Sequence, residues 1–216
     1  MRGEETRRRI LDAAIAAFAE VGYEAAHTRL IADRASVKLP AIAYYFGSKE
    51  GLYRAVIQHI TDQYEKRMAP VAQRVQALLA DATASREDVL DLLCELLENL
   101  TDVLLRPTNP ESWRQLIVRA EVENVSGLAP LRDCMRQNTG HPCMALISRL
   151  TGEPQDTEQT WMRAIALLGE INIFTKPQVR GSLGWTEYTD ERIRAIQTLV
   201  CTNARSIFAT LGSTEE

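Results

Sequence analysis

The sequence predicts an all-α protein, a small N-terminal group of three helices followed by a larger helical bundle. Three observations predict it. Apolar residues recur at spacings of three and four along most of the 216 residues, the period of a helix with one buried face. Gly, Pro and short polar clusters separate these stretches at helix-length intervals. Near the N-terminus, two helical stretches too short to stand alone are joined by a tight turn and preceded by a longer one.

The first helix is carried by Ile10, Ala13, Ala14, Ala17, Phe18 and Val21, which share one face. Thr6 is expected to cap its start through its hydroxyl, and Gly22 to end it, because glycine enters the left-handed region cheaply. Thr28 is expected to cap a short second helix, TRLIADRA. The turn Ser36-Val37 leads to KLPAIAYYF, a third short helix with Pro40 in its first turn, where a missing N–H is no loss. Gly47-Ser48 breaks the chain, and Ser48 caps a fourth helix expected to reach Arg67, with Pro70 beyond it. Further helices are expected at 71–82, 86–105, 111–123, 128–150, 156–176 and 190–211. The breaks fall at Pro70, at RPTNP, at Ser126-Gly127, at TGEP and across KPQVRGSLGWTEY. VLDLLCELLENLTDVLL is apolar nearly all round and belongs at the centre of a bundle, with Asn99 and Thr101 as its polar exceptions.

Composition is that of an ordinary globular chain, 45% apolar and 25% charged. No run of uncharged apolar residues is long enough to span a membrane. The start, MRGEETRRRILDAA, is charged where a secretion signal needs an apolar run, so a cytoplasmic location is expected. Net charge is −4, but residues 1–51 hold eight Lys/Arg and seven Asp/Glu, a net of +1, against −5 for the remainder. Any nucleic-acid contact therefore belongs in the first quarter.

Two short helices joined by a tight turn behind a longer helix match a helix-turn-helix, which accounts for an odd aromatic run. LPAIAYYFGSKEGLY sets Tyr44, Tyr45 and Phe46 side by side, where a buried face would space them by three or four. Ile42 and Phe46, four apart, are expected to point into the small core. Tyr44 and Tyr45 then face outward, where a phenol can bond a phosphate while its ring packs on sugar. Lys49, in the first turn of the fourth helix, adds an ammonium to free backbone N–H groups, so Gly47-Ser48-Lys49 reads as a phosphate clamp.

The stretch TRRRILDAAIAAFAEVGYEAAHTRLIADRASVKLPAIAYYFGSKEGLY resembles the DNA-binding domain of the TetR family of transcriptional regulators almost continuously from Thr6 to Tyr53. The resemblance implies a homodimer: residues 1–52 bind double-stranded operator DNA, and 53–216 dimerise and hold a small-molecule effector. Carried over position by position, it nominates Thr28, Arg29, Leu39, Pro40, Ala41, Ala43, Tyr44, Tyr45 and Lys49 as DNA-facing. Thr28, Tyr44, Tyr45 and Lys49 suit the phosphate backbone. Arg29 suits a bidentate contact to guanine, and Leu39, Pro40 and Ala41 suit thymine methyls. There are departures from the family pattern. Ser36 stands where Gly is usual in the turn, which implies strain if that position needs a positive φ. Lys38 stands where a Ser or Thr usually caps the recognition helix, leaving that end to Ser36 or water and freeing Lys38 for a phosphate or base. Ala43 stands where many members have Tyr.

The last two helices invite a dimer. Met162, Ile165, Ala166, Gly169 and Ile173 form one stripe, and Ile193, Ile196, Val200, Ala204 and Ile207 or Phe208 another. The resemblance implies a four-helix interface from two such helices per subunit; the plainer reading is that each stripe faces its own core. LLGEINIFTKPQVRGSLGW further resembles a narrower CerR/CecR-like subgroup, linked to efflux or stress genes. Asn99, Trp113, Arg119 and Trp161 are candidate effector-lining residues, set against plain packing or, for Arg119, a surface pair with Glu123.

No catalytic motif is visible, and neither a cofactor nor a metal is expected: Cys134, His141 and Cys143 match no zinc spacing. Cys94 and Cys201 fall within helical apolar patterns, which counts against a redox role. The reading is a regulator, a repressor released by a small molecule. The alternatives are one triggered by a protein partner or thiol oxidation, or a ligand-binding protein or enzyme that keeps the scaffold without DNA activity.

Overall fold

The computed structural model describes residues 2–106, 111–122 and 127–211. The expected break at 107–110, Ser126, and Glu123 as a partner for Arg119 lie outside them. Among the described residues there is no strand. The order is α1 (Arg2–Ala25), α2 (Thr28–Arg34), α3 (Pro40–Phe46), α4 (Lys49–Ala80), α5 (Arg86–Leu105), α6 (Glu111–Val122), α7 (Ala129–Met135), a π-helical turn (Arg136–Gly140), α8 (His141–Thr151), α9 (Glu158–Ile173), α10 (Pro177–Ser182) and α11 (Asp190–Leu211).

The chain divides into two compact units, Met1–Gln63 with Pro110–Asp133, and Tyr64–Asn109 with Cys134–Glu216. The boundary expected at 52/53 lies inside α4, and α6 returns to pack on α1 within the first unit. That unit's core joins Ile10, Ala14, Ala17 and Phe18 of α1 to Ile31 and Ala32 of α2, Ile42 of α3, Leu52, Val56 and Ile60 of α4 and Leu116 of α6, all buried. Phe18, Tyr23 and Tyr53 form an aromatic cluster with ring centroids 5.0–5.9 Å apart, and the His59 ring meets Trp113 edge-on at 5.6 Å.

In the second unit α5 is the central helix. Eleven of its residues from Val89 to Leu105 are buried, and it packs on α8, α9 and α11. A reciprocal capping box starts it: the Ser85 hydroxyl accepts from Asp88 N–H, and the Asp88 carboxylate accepts from Ser85 N–H. The two polar exceptions on α5 bond back to their own helix, Asn99 to Glu95 O at 2.8 Å and Thr101 to Leu97 O at 2.8 Å.

Several boundaries differ from expectation, each for a physical reason. α1 starts at Arg2, four residues before Thr6, with Glu4 and Glu5 favouring its positive end. Gly22 does end the regular helix, at φ 83°, ψ 171°. His27, without a side-chain bond, is the N-cap of α2, so Thr28 is its first helical residue. Pro70 does not end α4, because the buried face of Tyr64, Met68, Val71, Ala72 and Val75 continues through it in phase. Packing there outweighs one missing N–H bond. The single helix expected over 128–150 is interrupted by the π turn, and α10 forms inside a stretch expected to be irregular.

Candidate nucleic-acid interface

α2 and α3 are joined by a helix terminus of defined chemistry. Val37 N–H donates to Ala32 O at 3.0 Å and Ser36 N–H to Asp33 O at 3.1 Å, the crossed pair of bonds of a Schellman cap. The residue at its pivot takes a left-handed conformation. Here it is Ser36, at φ 52°, the one positive-φ residue other than glycine among the described residues. The serine that departs from the family pattern therefore sits where a glycine would be unstrained.

α3 begins without a side-chain cap. Its first turn closes on backbone instead, Ala41 N–H to Lys38 O at 2.9 Å and Ile42 N–H to Leu39 O at 3.2 Å, so Ser36 does not serve as its cap. Ile42, 2% exposed, pins the helix inward. The opposite face is open: Leu39 is 48% and Tyr44 82% exposed, and Lys38, Pro40 and Ala43 are exposed beside them. Ala41 and Tyr45 are half-buried. The Tyr45 ring meets Tyr44 edge-on at 5.0 Å, and its hydroxyl lies close to Gly3 of α1. Phe46 does not enter the core as expected. It is half-buried under the Arg7 guanidinium, which lies 5.3 Å from the ring centroid.

On α2, Arg29 is exposed and Thr28 half-buried. Arg34 is held at 2.7 Å by Glu20 of α1. Lys49 is not the free clamp the sequence suggests: its ammonium donates to Glu24 O at 2.9 Å and lies 4.7 Å over the Tyr23 ring. It secures the end of α1 against the start of α4, leaving two of its three N–H groups for other acceptors. Ser48 does cap α4, accepting from Gly51 N–H at 3.0 Å. The sequence reading missed Arg7, Arg8 and Arg9, exposed on α1, whose first member touches the end of α3. The visible signal was the basic run itself.

The α9 stripe stands open, with Met162 54%, Ile165 62% and Ile173 48% exposed and Ala166 and Gly169 exposed among them. The α11 stripe needs correction. Ile193, Ile196, Val200, Ala204 and Phe208 are at most 2% exposed and fill the unit's own core, because α5 and α9 pack on that side. The large apolar residues that α11 leaves open among the described residues are Ile207 and Leu199.

The expected effector residues are divided between the two units. Trp113 and Arg119 belong to the first unit, Asn99 and Trp161 to the second, and Trp161 lies on the open side of α9. The second unit instead carries a cleft of about 520 Å³ between α4 and the π turn with α8. Its polar lining is Glu65, Gln73, Gln76, Gln137, Asn138, His141 and Gln155, over an apolar floor that includes Ala72, Val75, Leu79 and Pro142. Behind it, Tyr64 and Thr139 share a buried hydrogen bond of 2.5 Å, and burial pushes the Tyr64 phenol well above its ordinary acidity range. No helix among the described residues is long and apolar enough to cross a membrane.

Comparison with known proteins agrees with this geometry. Residues 10–56 match the family model of bacterial regulatory proteins of the tetR family, and residues 89–211 match that of the C-terminal domain of the HTH-type transcriptional dual regulator CecR. The chain is 29% identical over 204 residues to the CecR of Shigella flexneri, covering 93% of this chain and 91% of that one. In fold it is similar to a TetR-like transcriptional regulator from Rhodococcus sp. RHA1, with TM-score 0.59 and 23% identity over 94% and 96% of the two chains. It is similar also to Salmonella enterica GusR, with TM-score 0.55 and 19% identity over 95% and 94%. A helix-turn-helix matched to the family model, continued into a matched C-terminal domain, makes this chain a member of the TetR family of transcriptional regulators, with a C-terminal domain of the CecR type.

Proposed function

We propose that the protein is a repressor that binds operator DNA as a homodimer and is released by a small molecule. The observation that carries the reading is the outer face of α3: Leu39, Pro40, Ala43 and Tyr44 remain in water while Ile42 anchors the helix from behind. A tyrosine left 82% exposed beside an open leucine suits a surface completed by DNA. In this reading Leu39, Pro40 and Ala41 meet base edges, and Arg29 reads a guanine from the start of α2. Thr28, Lys38, Tyr44, Tyr45 and the spare N–H groups of Lys49 hold phosphates, joined by Arg7. The open stripe of α9 with Leu199 and Ile207 pairs two copies, so that two α3 helices enter successive grooves about 34–36 Å apart. The cleft beside the π turn takes the effector; its carboxamides suit a neutral polar ligand with donors and acceptors rather than an anion. A ligand that favours the spacing unable to match the operator weakens DNA binding by its differential affinity.

The relative from Shigella flexneri is named a dual regulator, so activation at a second promoter is the competing output. A mobility-shift titration on the DNA upstream of the protein's own gene tests the binding. The wild type should retard it, Tyr44→Ala should not, and candidate ligands should release it. Equal retardation by the Tyr44→Ala variant would remove α3 from the interface.

A further inference from the structure

We infer that Cys94 and Cys201 form an oxidation site, which a hydroperoxide converts into one intrachain disulfide joining α5 to α11. Apolar periodicity sets each thiol inside its own helix, and packing sets the two side by side along one seam. The Cys94 thiol donates to Cys201 O at 3.9 Å, and the single proton of the Cys201 thiol has two acceptors in reach, Cys94 O at 3.7 Å and Glu98 Oε1 at 3.5 Å. That reciprocity places both sulfurs between the two backbones at one level.

The flanking rungs keep them there. One turn before Cys201, Gln197 donates to Glu98 O and to Asp102 Oδ1, each at 3.1 Å. One turn after it, Arg205 bonds Glu87 Oε1 at 2.5 Å and also Asp91. Residues 197, 201 and 205 thus form one line on α11, set against 87, 91, 94, 98 and 102 on α5. The seam is polar on both sides of the thiols; Cys94 is buried, but it lies beside the half-buried Cys201, along whose side a small oxidant reaches it. Cys143 is fully enclosed, and burial pushes its thiol up to about 12. Cys134 is buried and held by Asn138 Nδ2, 3.4 Å from its sulfur.

The pair is chemically unequal. The hydrogen bond from Cys201, with the Arg205 guanidinium nearby, draws Cys94 below the usual thiol range, and the same bond and burial hold Cys201 protonated. The Cys94 thiolate attacks one oxygen of the hydroperoxide: an S–O bond forms, the O–O bond breaks, and the departing oxygen leaves as alcohol or water with a proton from solvent. Cys201 then yields its proton through the Glu98 carboxylate while its sulfur attacks the sulfenic acid. An S–S bond forms, the S–O bond breaks, and hydroxide leaves as water. Two thiols lose two electrons and two protons, and the hydroperoxide is reduced to an alcohol and water.

The test treats the full chain with equimolar hydrogen peroxide, then denatures and alkylates it. Mass spectrometry should show two of the four cysteines protected, with peptides carrying Cys94 and Cys201 linked. Dithiothreitol should restore all four. Cys201→Ser, chosen because that position is half-buried, should abolish the link, and the Cys134→Ser/Cys143→Ser chain should retain it. Four alkylated cysteines after peroxide, a link to Cys134 or Cys143, a link between two chains, or sulfinic acid without any link would each overturn the proposal. Because the wild-type chain is read directly, a variant that fails to fold does not blunt the test.

Discussion

Replacing Ser36 by Gly should stabilise the helix-turn-helix. At φ 52°, at the pivot of the cap that ends α2, the Ser36 Cβ crowds the following carbonyl at a cost of roughly 1–2 kcal/mol. Glycine removes that cost but adds freedom to the unfolded chain, offsetting about 0.4–1 kcal/mol. The balance is a gain of about 0.5–1 kcal/mol, a rise in melting temperature of about 1–4 °C for a chain of this length. Thermal unfolding followed by far-ultraviolet circular dichroism checks it. Hydrogen exchange gives a local reading: the Val37 amide, bonded to Ala32 O across the turn, should exchange about two to five times more slowly. Ser36→Ala keeps the Cβ and should bring no gain. A Ser36→Gly chain that melts at or below the wild type, or an alanine variant that gains as much as the glycine one, would refute the strain argument.

Other expectations follow from the same geometry. Arg29→Ala should leave the fold intact and relax preference at one base pair, by roughly 1–3 kcal/mol in a titration of operator variants. Lys49→Ala should act twice, weakening all DNA sequences alike with a flatter salt dependence and lowering stability by about 1 kcal/mol, since it also ties Glu24 O and covers Tyr23. Ile165→Glu, at a position 62% exposed, should convert a dimer into a folded monomer by sedimentation velocity. Tyr64→Phe should cost about 1–3 kcal/mol, because it strands the Thr139 hydroxyl in the interior. The Tyr64 phenol is raised in the fold from its ordinary value of 10.0, so above that pH the unfolded chain ionises first and stability falls. The Tyr64→Phe chain should lose that part of the alkaline slope.

Much of the architecture was legible in sequence because it depends on local rules. The face of Ile10, Ala14, Ala17 and Phe18, the stop at Gly22, the Ser48 cap and the limits of α5 follow from period and end chemistry, and all appear in the fold. Pro70 misled because a proline was weighed alone, although the apolar phase from Tyr64 to Val75 runs through it unbroken. The α11 stripe misled for a different reason: a stripe shows which residues leave water, not which chain covers them, and Ile193 to Ala204 are covered by their own unit. On α3 the outward face was legible, but the contact of Phe46 with Arg7 was not, nor, at the start of α4, the tie of Lys49 to Glu24, because both partners come from α1. The meeting of Cys94 with Cys201 joins positions 107 apart, and no local pattern could announce it.

The π turn over Arg136–Gly140 has a consequence for how this chain can change. A π turn holds one residue more than an α-helical turn, so deleting one amino acid there would let the segment close as regular α-helix while Cys143, Met144, Leu146, Ile147 and Leu150 keep the side where they are now buried. The change would fall on Gln137 and Asn138, which help line the cleft. Such a cleft can be retuned by losing a single residue as well as by exchanging side chains, with α8 left in step.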